Sequence, residues 1–272
     1  MSLLKLQSEN NFRFLRKGFL DAIVLVSVLL CSGQYASAAD EVTAGSLFLG
    51  VEQRFLNVDT LSYTVKKVST LKNKQNEEEW TFRYKKPGSV RIEYQVPHER
   101  LIVLDEQALF EYIPVLKKAV RTDLTSKSKN KAAQTVAEVM SHVSVEGLRV
   151  GNYQELEKKA ASVRKVTWAG TDAYLIEGTD PRYVMYIDDA KKVLLRSEIY
   201  DKRGGLVIRT EASRFVEAAK GFWMPREVHI TYNTPEGFVQ SKILLHDIKV
   251  DETIPGELFH FNAPKGTAVI QN

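Results

Sequence analysis

The chain has 272 residues, of which 44% are hydrophobic and 26% are charged, a composition typical of a folded globular protein. Its formal net charge is +4 at pH 7, but lysine and arginine are interspersed with acidic residues, so we expect no nucleic-acid partner. The only cysteine is Cys31, which excludes a disulfide framework within the chain.

The first 38 residues have the organisation of a secretory signal peptide. A basic region precedes an apolar run at 22–31, and small residues in A-x-A order follow at 36–38. The apolar run is too short to span a bilayer comfortably. We therefore expect cleavage close to Ala38, export to the periplasm and a mature chain without cysteine. The alternatives are an uncleaved membrane anchor and a lipoprotein acylated at Cys31.

The mature chain is predicted to open with a helix over 40–61. Apolar residues recur every four positions from Leu47 to Phe55 and give this segment one apolar face. The pattern then changes to that of a strand at 62–71. The polar stretch 72–79 is predicted to be a hairpin loop.

Five short strands are predicted next, in a sequence that favours an antiparallel meander. Prolines punctuate the turns, and the segments lie too close together in sequence for parallel crossovers. The predicted ranges are 80–85, 89–95, 99–105, 108–113 and 117–122. Strict alternation gives each of the first two strands one apolar face. The residues on those faces are Trp80, Phe82 and Tyr84 in the first strand and Val90, Ile92 and Tyr94 in the second.

The second half of the mature chain is predicted to be almost entirely strand. A second helix is predicted over 132–148, after a polar segment at 125–131, and no helical pattern follows residue 160. Roughly a dozen strands and two helices predict a mainly β protein with one domain over 39–272, a single curved antiparallel sheet forming an incomplete half-barrel with helices across its open side. Either large side chains or a ligand must fill the inner side of such a sheet.

No motif in the sequence points to catalysis or to a bound cofactor. The chain has no G-x-S-x-G elbow, Walker A loop or G-x-G-x-x-G fingerprint, and its five histidines form no H-x-H or H-E-x-x-H pair. A carboxylate pair of the glycosidase type needs only proximity in space, so the sequence leaves that possibility open. We expect a protein that is not an enzyme and that needs no metal or cofactor.

Residues 83–121 resemble the outer-membrane lipoprotein carrier family, LolA and its relatives. The matching features are Lys86-Pro87, the strand residues Val90 to Tyr94, Pro97, and the segment 103–114 with Phe110, Tyr112 and Pro114 in register. The closing segment 258–270 is also similar to the family's F-x-F-x-x-P-x-G-x-x-V pattern. The sequence departs from the pattern at Lys86, where the carrier has an arginine that helps to hold its lid closed. A wider group of relatives includes the periplasmic domain of RseB.

The resemblance implies a half-barrel whose inner face binds acyl chains. The implied cavity-lining residues are Trp80, Phe82, Tyr84, Val90, Ile92, Tyr94, Phe110 and Tyr112, and Lys86 is expected to contact the lid. The implied function is a periplasmic carrier that moves a lipoprotein or another lipid from an inner-membrane donor complex to an outer-membrane acceptor; we expect a monomer. Two alternatives stay open: a lipid-sensing regulatory protein of the RseB type, and an enzyme acting on an envelope lipid or glycan.

Overall fold

The computed structural model describes residues 42–105, 107–125 and 153–271. For Leu56, Tyr153 and Gln154 within these ranges, it describes only the backbone. Within these ranges, fourteen strands form one sheet. The strands are β1 Thr60–Leu71, β2 Lys74–Lys85, β3 Ser89–Val96, β4 Arg100–Leu104, β5 Ala108–Ile113, β6 Lys118–Asp123, β7 Ala160–Trp168, β8 Thr171–Gly178, β9 Tyr183–Asp188, β10 Val193–Tyr200, β11 Leu206–Ala219, β12 Phe222–Thr234, β13 Gly237–Val250 and β14 Ala268–Gln271. In the same described ranges, the helices are α1 Ala44–Leu56, α2 Tyr153–Glu157 and two 3-10 helices, Pro114–Leu116 and Gly256–Phe259. The predicted signal peptide and the predicted helix over 132–148 lie outside the described residues.

The sheet consists of two antiparallel meanders that meet in its middle. The first runs outward from β1 to β6, and the second begins at the opposite edge with β7 and runs inward to β13, which pairs with β1. Strand β14 then adds to β6 in parallel. The sheet is curved, and its edge strands β14 and β7 do not pair with each other. The predicted fold class, a mainly β protein with a single curved and unclosed sheet, is confirmed.

Helix α1 packs on one face of the sheet. Reciprocal hydrogen bonds between Thr43 and Ser46 cap its first turn, and they satisfy backbone N–H groups that the helix itself leaves unpaired. The apolar stripe of the helix, Leu47, Phe48 and Val51, is buried against β8, β9 and β10. We call the face that carries α1 the inner face and the opposite one the outer face.

The polar stretch 72–79 is not the loop that its composition predicts. Strands β1 and β2 pair without a break as far as Leu71 and Lys74, so only Lys72 and Asn73 form the turn. The side chains at the tip of this hairpin are mostly exposed, so the apolar alternation that identifies a strand in the sequence is missing. The backbone ladder continues because its hydrogen bonds do not depend on side-chain polarity.

The chain end, residues 251–271, returns across the outer face and is called here the C-terminal strap. The guanidinium of Arg91 in β3 donates a hydrogen bond to the carbonyl oxygen of Leu258 at 2.9 Å. The next residue, Phe259, is buried. The strap then ends as β14 on the edge of β6. The strap therefore covers part of the outer face of the first meander.

Candidate functional site

Six of the eight predicted lining residues lie on the inner face of the sheet. They form three cross-strand pairs between β2 and β3, namely Trp80 with Tyr94, Phe82 with Ile92, and Tyr84 with Val90. Phe82, Val90 and Ile92 have no exposed surface and Trp80 is buried, whereas Tyr84 and Tyr94 are half-buried. The structure therefore brings these six side chains together; their contact with a ligand stays a prediction.

Phe110 and Tyr112 lie on the outer face, which corrects the expectation that they share a face with the other six. Strand β5 pairs with β4 so that Phe110 is opposite Val103 and Tyr112 is opposite Leu101. The alternation of apolar residues in the sequence shows which residues of a single strand lie on the same face. The relation between two strands depends on the register of the hairpin, which alternation does not specify.

Phe110 and Tyr112 pack against the C-terminal strap on the outer face. The ring of Phe261 stacks on Phe110 with a centroid separation of 5.0 Å and contacts Tyr112 at 5.6 Å. The aromatic residues of β5 and the aromatic residue near the chain end, which lie far apart in the sequence, therefore pack against each other. Aromatic pairs in this distance range contribute about 0.5–1.5 kcal/mol beyond their buried area.

The candidate site is the large apolar cluster on the inner face of β1–β4 and β11–β13, which we call the inner-face cluster. Its buried members are Val58, Leu61, Tyr63, Val65, Trp80, Phe82, Val90, Ile92, Ile102, Leu104, Ala212, Phe222, Met224, Val228, Ile230, Ile243 and Leu245. The ring of Tyr63 stacks on Phe82 with centroids 4.8 Å apart. Burial raises the pKa of Tyr63 above its ordinary value, so this phenol is neutral at every physiological pH.

The C-terminal end of α1 is tied to the edge of the inner-face cluster. The Arg54 guanidinium donates a hydrogen bond to the carbonyl oxygen of Trp223 and lies over the ring of Phe55, 4.4 Å from its centroid. Phe55 in turn meets Phe222 edge-to-face at 5.4 Å. The helix thus connects its own cluster on β8–β10 with the inner-face cluster.

A polar patch interrupts the inner face on the side away from Phe222, and the sequence analysis missed it. It consists of Lys67, Ser69, Glu78, Thr210 and Ser241. The Lys67 ammonium lies 3.4 Å from the Glu78 carboxylate, and the hydroxyls of Ser69 and Ser241 are 2.8 Å apart. In β1 the signal was present, because Lys67 and Ser69 continue the alternation of Leu61, Tyr63 and Val65.

Lys86, the predicted lid contact, lies beside the connection between α1 and β1. Its backbone N–H donates to the carbonyl oxygen of Asp59 at 2.8 Å, and its ammonium is 3.5 Å from the Asp59 carboxylate. The two side chains are 51% and 75% exposed, so the ion pair contributes at most about 1 kcal/mol. A role for Lys86 in ligand release stays a prediction.

The described residues carry no recognisable metal site. Across residues 42–105, 107–125 and 153–271, no three His, Cys, Asp or Glu side chains are grouped so that they can hold a metal ion. In the same part of the chain, no helix combines the length and the apolar character that crossing a bilayer demands.

Comparison with known proteins identifies a family and a fold. A family model with the description "Uncharacterized protein" matches residues 99–263, which is more than half of the chain. No curated protein sequence matches the chain. The crystal structure of a DUF1329 family protein from Desulfovibrio piger aligns with a TM-score of 0.56 at 16% identity, and the alignment covers 80% of this chain and 95% of that one.

Two further solved structures have the same fold. A LolA superfamily protein from Nitrosomonas europaea aligns with a TM-score of 0.50 at 14% identity, over 81% of this chain and 98% of that one. A domain from Vibrio parahaemolyticus that is named for outer membrane lipoprotein sorting aligns with a TM-score of 0.51 at 14% identity, over 80% and 97%. The fold of this chain is therefore LolA-like.

Proposed function

The chain belongs to the uncharacterized-protein family whose model it matches, and we propose that it is a periplasmic carrier that binds the acyl chains of a lipoprotein or of another lipid. The observation that carries this proposal is the inner-face cluster, an apolar surface that seven strands contribute to a curved sheet that does not close. The LolA-like fold supports it, as does the structural likeness to a domain named for lipoprotein sorting.

An apolar surface of this kind suits a carrier because acyl chains bind without directional groups. Each methylene that leaves water contributes about 0.8 kcal/mol, so ten buried methylenes contribute about 8 kcal/mol. This binding is reversible and forms no covalent bond, so the protein needs no catalytic residue, metal or cofactor. We accordingly propose that it is not an enzyme.

The carrier role requires export of the chain and two membrane partners. We propose that residues 1–38 are a signal peptide and that the mature chain begins at Ala39 or Asp40. N-terminal sequencing of the protein isolated from the cell envelope tests this; a chain that begins at Met1 or is acylated at Cys31 would contradict it. The proposed partners are an inner-membrane donor complex and an outer-membrane acceptor.

Two tyrosines on opposite faces provide a matched test of ligand binding. Tyr94 is half-buried on the inner face, and Tyr112 is half-buried on the outer face two strands away. We expect Tyr94→Glu to abolish the uptake of a fluorescent fatty acid, because the carboxylate would lie in the path of the acyl chain. Tyr112→Glu should leave uptake unchanged. Equal effects of the two substitutions would contradict binding at the inner face.

Transport is tested separately from binding. A fluorescent fatty acid is loaded into one population of vesicles, and its appearance in a second population is followed with and without the protein. A carrier accelerates this transfer in proportion to its concentration. A protein that takes up the fatty acid without accelerating transfer would contradict the carrier role while leaving the binding site intact.

A further inference from the structure

On β1 and β13 the inner face changes from apolar to polar at one level, whereas Ile230 on β12, in the same row, is still a buried member of the inner-face cluster. On β1 the apolar positions end at Val65 and are followed by Lys67 and Ser69. On the antiparallel strand β13, Ser241 is the next residue after Ile243 on this face in the direction of β1, and it is paired with Ser69. The inner face therefore combines the apolar inner-face cluster with the polar side chains of the polar patch, which adjoin it. This is the distribution of polarity that an amphiphilic ligand has.

Thr210 extends the polar patch to β11. It lies opposite Ile230 on β12, and Ile230 lies opposite Ser241 on β13. Two strand spacings, about 10 Å, therefore separate Thr210 from Ser241 along this row. The two inner-face neighbours of Thr210 on its own strand, Ile208 and Ala212, both belong to or pack against the inner-face cluster.

The hydroxyl of Thr210 is buried and has no hydrogen-bond partner. The residue is 1% exposed, and its Oγ1 atom forms no hydrogen bond in the structure. A buried hydroxyl without a partner destabilises a protein, and native structures contain few of them. Valine, which has the same shape, would avoid this cost. The presence of a hydroxyl here points to a group that arrives from outside the chain.

We propose that the polar patch binds the neutral linkage of the ligand, an ester or an amide that joins its acyl chain to the rest of the molecule. Thr210 donates its hydroxyl hydrogen to the carbonyl oxygen of that linkage while the acyl chain lies on the inner-face cluster. This proposal rests on the proposed function and specifies the ligand class: an acylated glycerol or an N-acylated amine, as distinct from a free fatty acid.

The charges of the polar patch agree with a neutral group. Its one cation, Lys67, is paired with the Glu78 carboxylate, and its other members are hydroxyls, so the patch has no net charge. A carboxylate or phosphate in this place would lose its hydration without gaining an unpaired cation from the patch. The Thr210 hydroxyl, in contrast, is already buried and can donate one hydrogen bond to a neutral carbonyl oxygen.

The test compares one apolar probe with two ligands of equal chain length. The purified protein is loaded with N-phenyl-1-naphthylamine, an apolar fluorescent dye, which is then displaced by 1-dodecanoylglycerol or by dodecanoate. We expect the unaltered protein to bind the neutral ester more tightly than the anion. We expect Thr210→Val to weaken binding of the ester about fivefold, the value for one lost hydrogen bond, and to leave dye affinity unchanged.

The matched control is Thr231→Val, because Thr231 is on the neighbouring strand and faces outward. The melting temperature of Thr210→Val should equal or exceed that of the unaltered protein, since the substitution removes an unpaired buried hydroxyl. Unchanged ester affinity in Thr210→Val, or an equal loss for ester, anion and dye, would overturn the proposed linkage site. Failure of the unaltered protein to bind the dye at all would instead overturn the proposed function, and this inference with it.

Discussion

Arg91 and Leu258 are joined across 167 residues of sequence by a hydrogen bond of 2.9 Å from Nη1 of Arg91 to the carbonyl oxygen of Leu258. The other terminal nitrogen of Arg91 donates to Glu93 at 2.9 Å, and Glu93 also accepts a hydrogen bond from Arg83. Burial opposes the ionisation of Glu93, but the hydrogen bonds from Arg91 and Arg83 outweigh it and lower the pKa of this carboxyl. This cluster fastens the C-terminal strap to the outer face.

Replacement of Arg91 should detach the strap without affecting the inner face. We expect Arg91→Met to lower the free energy of unfolding by about 2–3 kcal/mol, because it removes charged hydrogen bonds from a half-buried site. Denaturant titration measures this, and dye uptake in parallel should be unchanged. The control is Arg164→Met, which breaks an exposed pair of 3.5 Å with Glu177 and should cost less than about 1 kcal/mol. Loss of dye uptake in Arg91→Met would contradict the separation of the two faces.

A charge at Ile92 distinguishes a cavity from a filled core. Ile92 has no exposed surface. If a ligand cavity adjoins it, water can solvate a carboxylate there, so we expect Ile92→Glu to stay folded with a modestly lower melting temperature and to lose the uptake of a fluorescent fatty acid. Ile92→Val should preserve both properties. A mutant that unfolds outright would show that the site is a filled core, and a mutant that binds normally would remove β3 from the site.

Stability at low pH should depend on Glu227. Its carboxylate forms hydrogen bonds with His229 at 2.7 Å, Lys242 at 3.0 Å and Arg214 at 3.4 Å. These partners lower the pKa of Glu227 to about 2, below the value of about 4.3 in an unfolded chain. Because the pKa is lower in the folded protein than in the unfolded chain, ionised Glu227 stabilises the fold when the pH is above the unfolded-state pKa. This contribution disappears as the pH falls through the folded-state pKa.

We therefore expect the stability difference between the unaltered protein and Glu227→Gln to be largest near neutral pH. It should shrink as the pH falls from about 5 towards 2, where the native carboxyl becomes protonated and resembles glutamine. Urea titrations at several pH values measure this difference. Glu236→Gln, an exposed residue of the β12–β13 turn, serves as the control. A stability difference between the two proteins that does not vary with pH would contradict the lowered pKa of Glu227.

Close packing against Tyr183 explains the glycine at position 178. A Cβ atom on Gly178 would lie 1.9 Å from the Tyr183 ring, and that ring is fixed by a 2.6 Å hydrogen bond from its hydroxyl to the carbonyl oxygen of Leu156. Burial raises the pKa of Tyr183 to about 12, so the phenol keeps its proton for this bond. We expect Gly178→Ala to lower the free energy of unfolding by about 1–3 kcal/mol. Gly88→Ala, which has no neighbour within 4 Å, should have little effect, and similar losses in both variants would refute the packing argument.

Local periodicity in the sequence was sufficient to identify the fold class and most of the elements. The alternation of Val90, Ile92 and Tyr94 predicts a strand with one apolar face, and the four-residue spacing of Leu47 and Val51 predicts the helix that became α1. These signals depend only on neighbours in the chain. They failed where no side chain of a strand is buried, as in the tip of the β1–β2 hairpin.

Only the tertiary structure decided which strand faces combine into a site. The β4–β5 register turned Phe110 and Tyr112 to the outer face, where the strap supplies Phe261 as their partner. The pairing of β1 with β13 placed Ser69 beside Ser241 across 172 residues. Register and pairing are set by turn lengths and by contacts between distant segments, and a period of two residues contains no information about either.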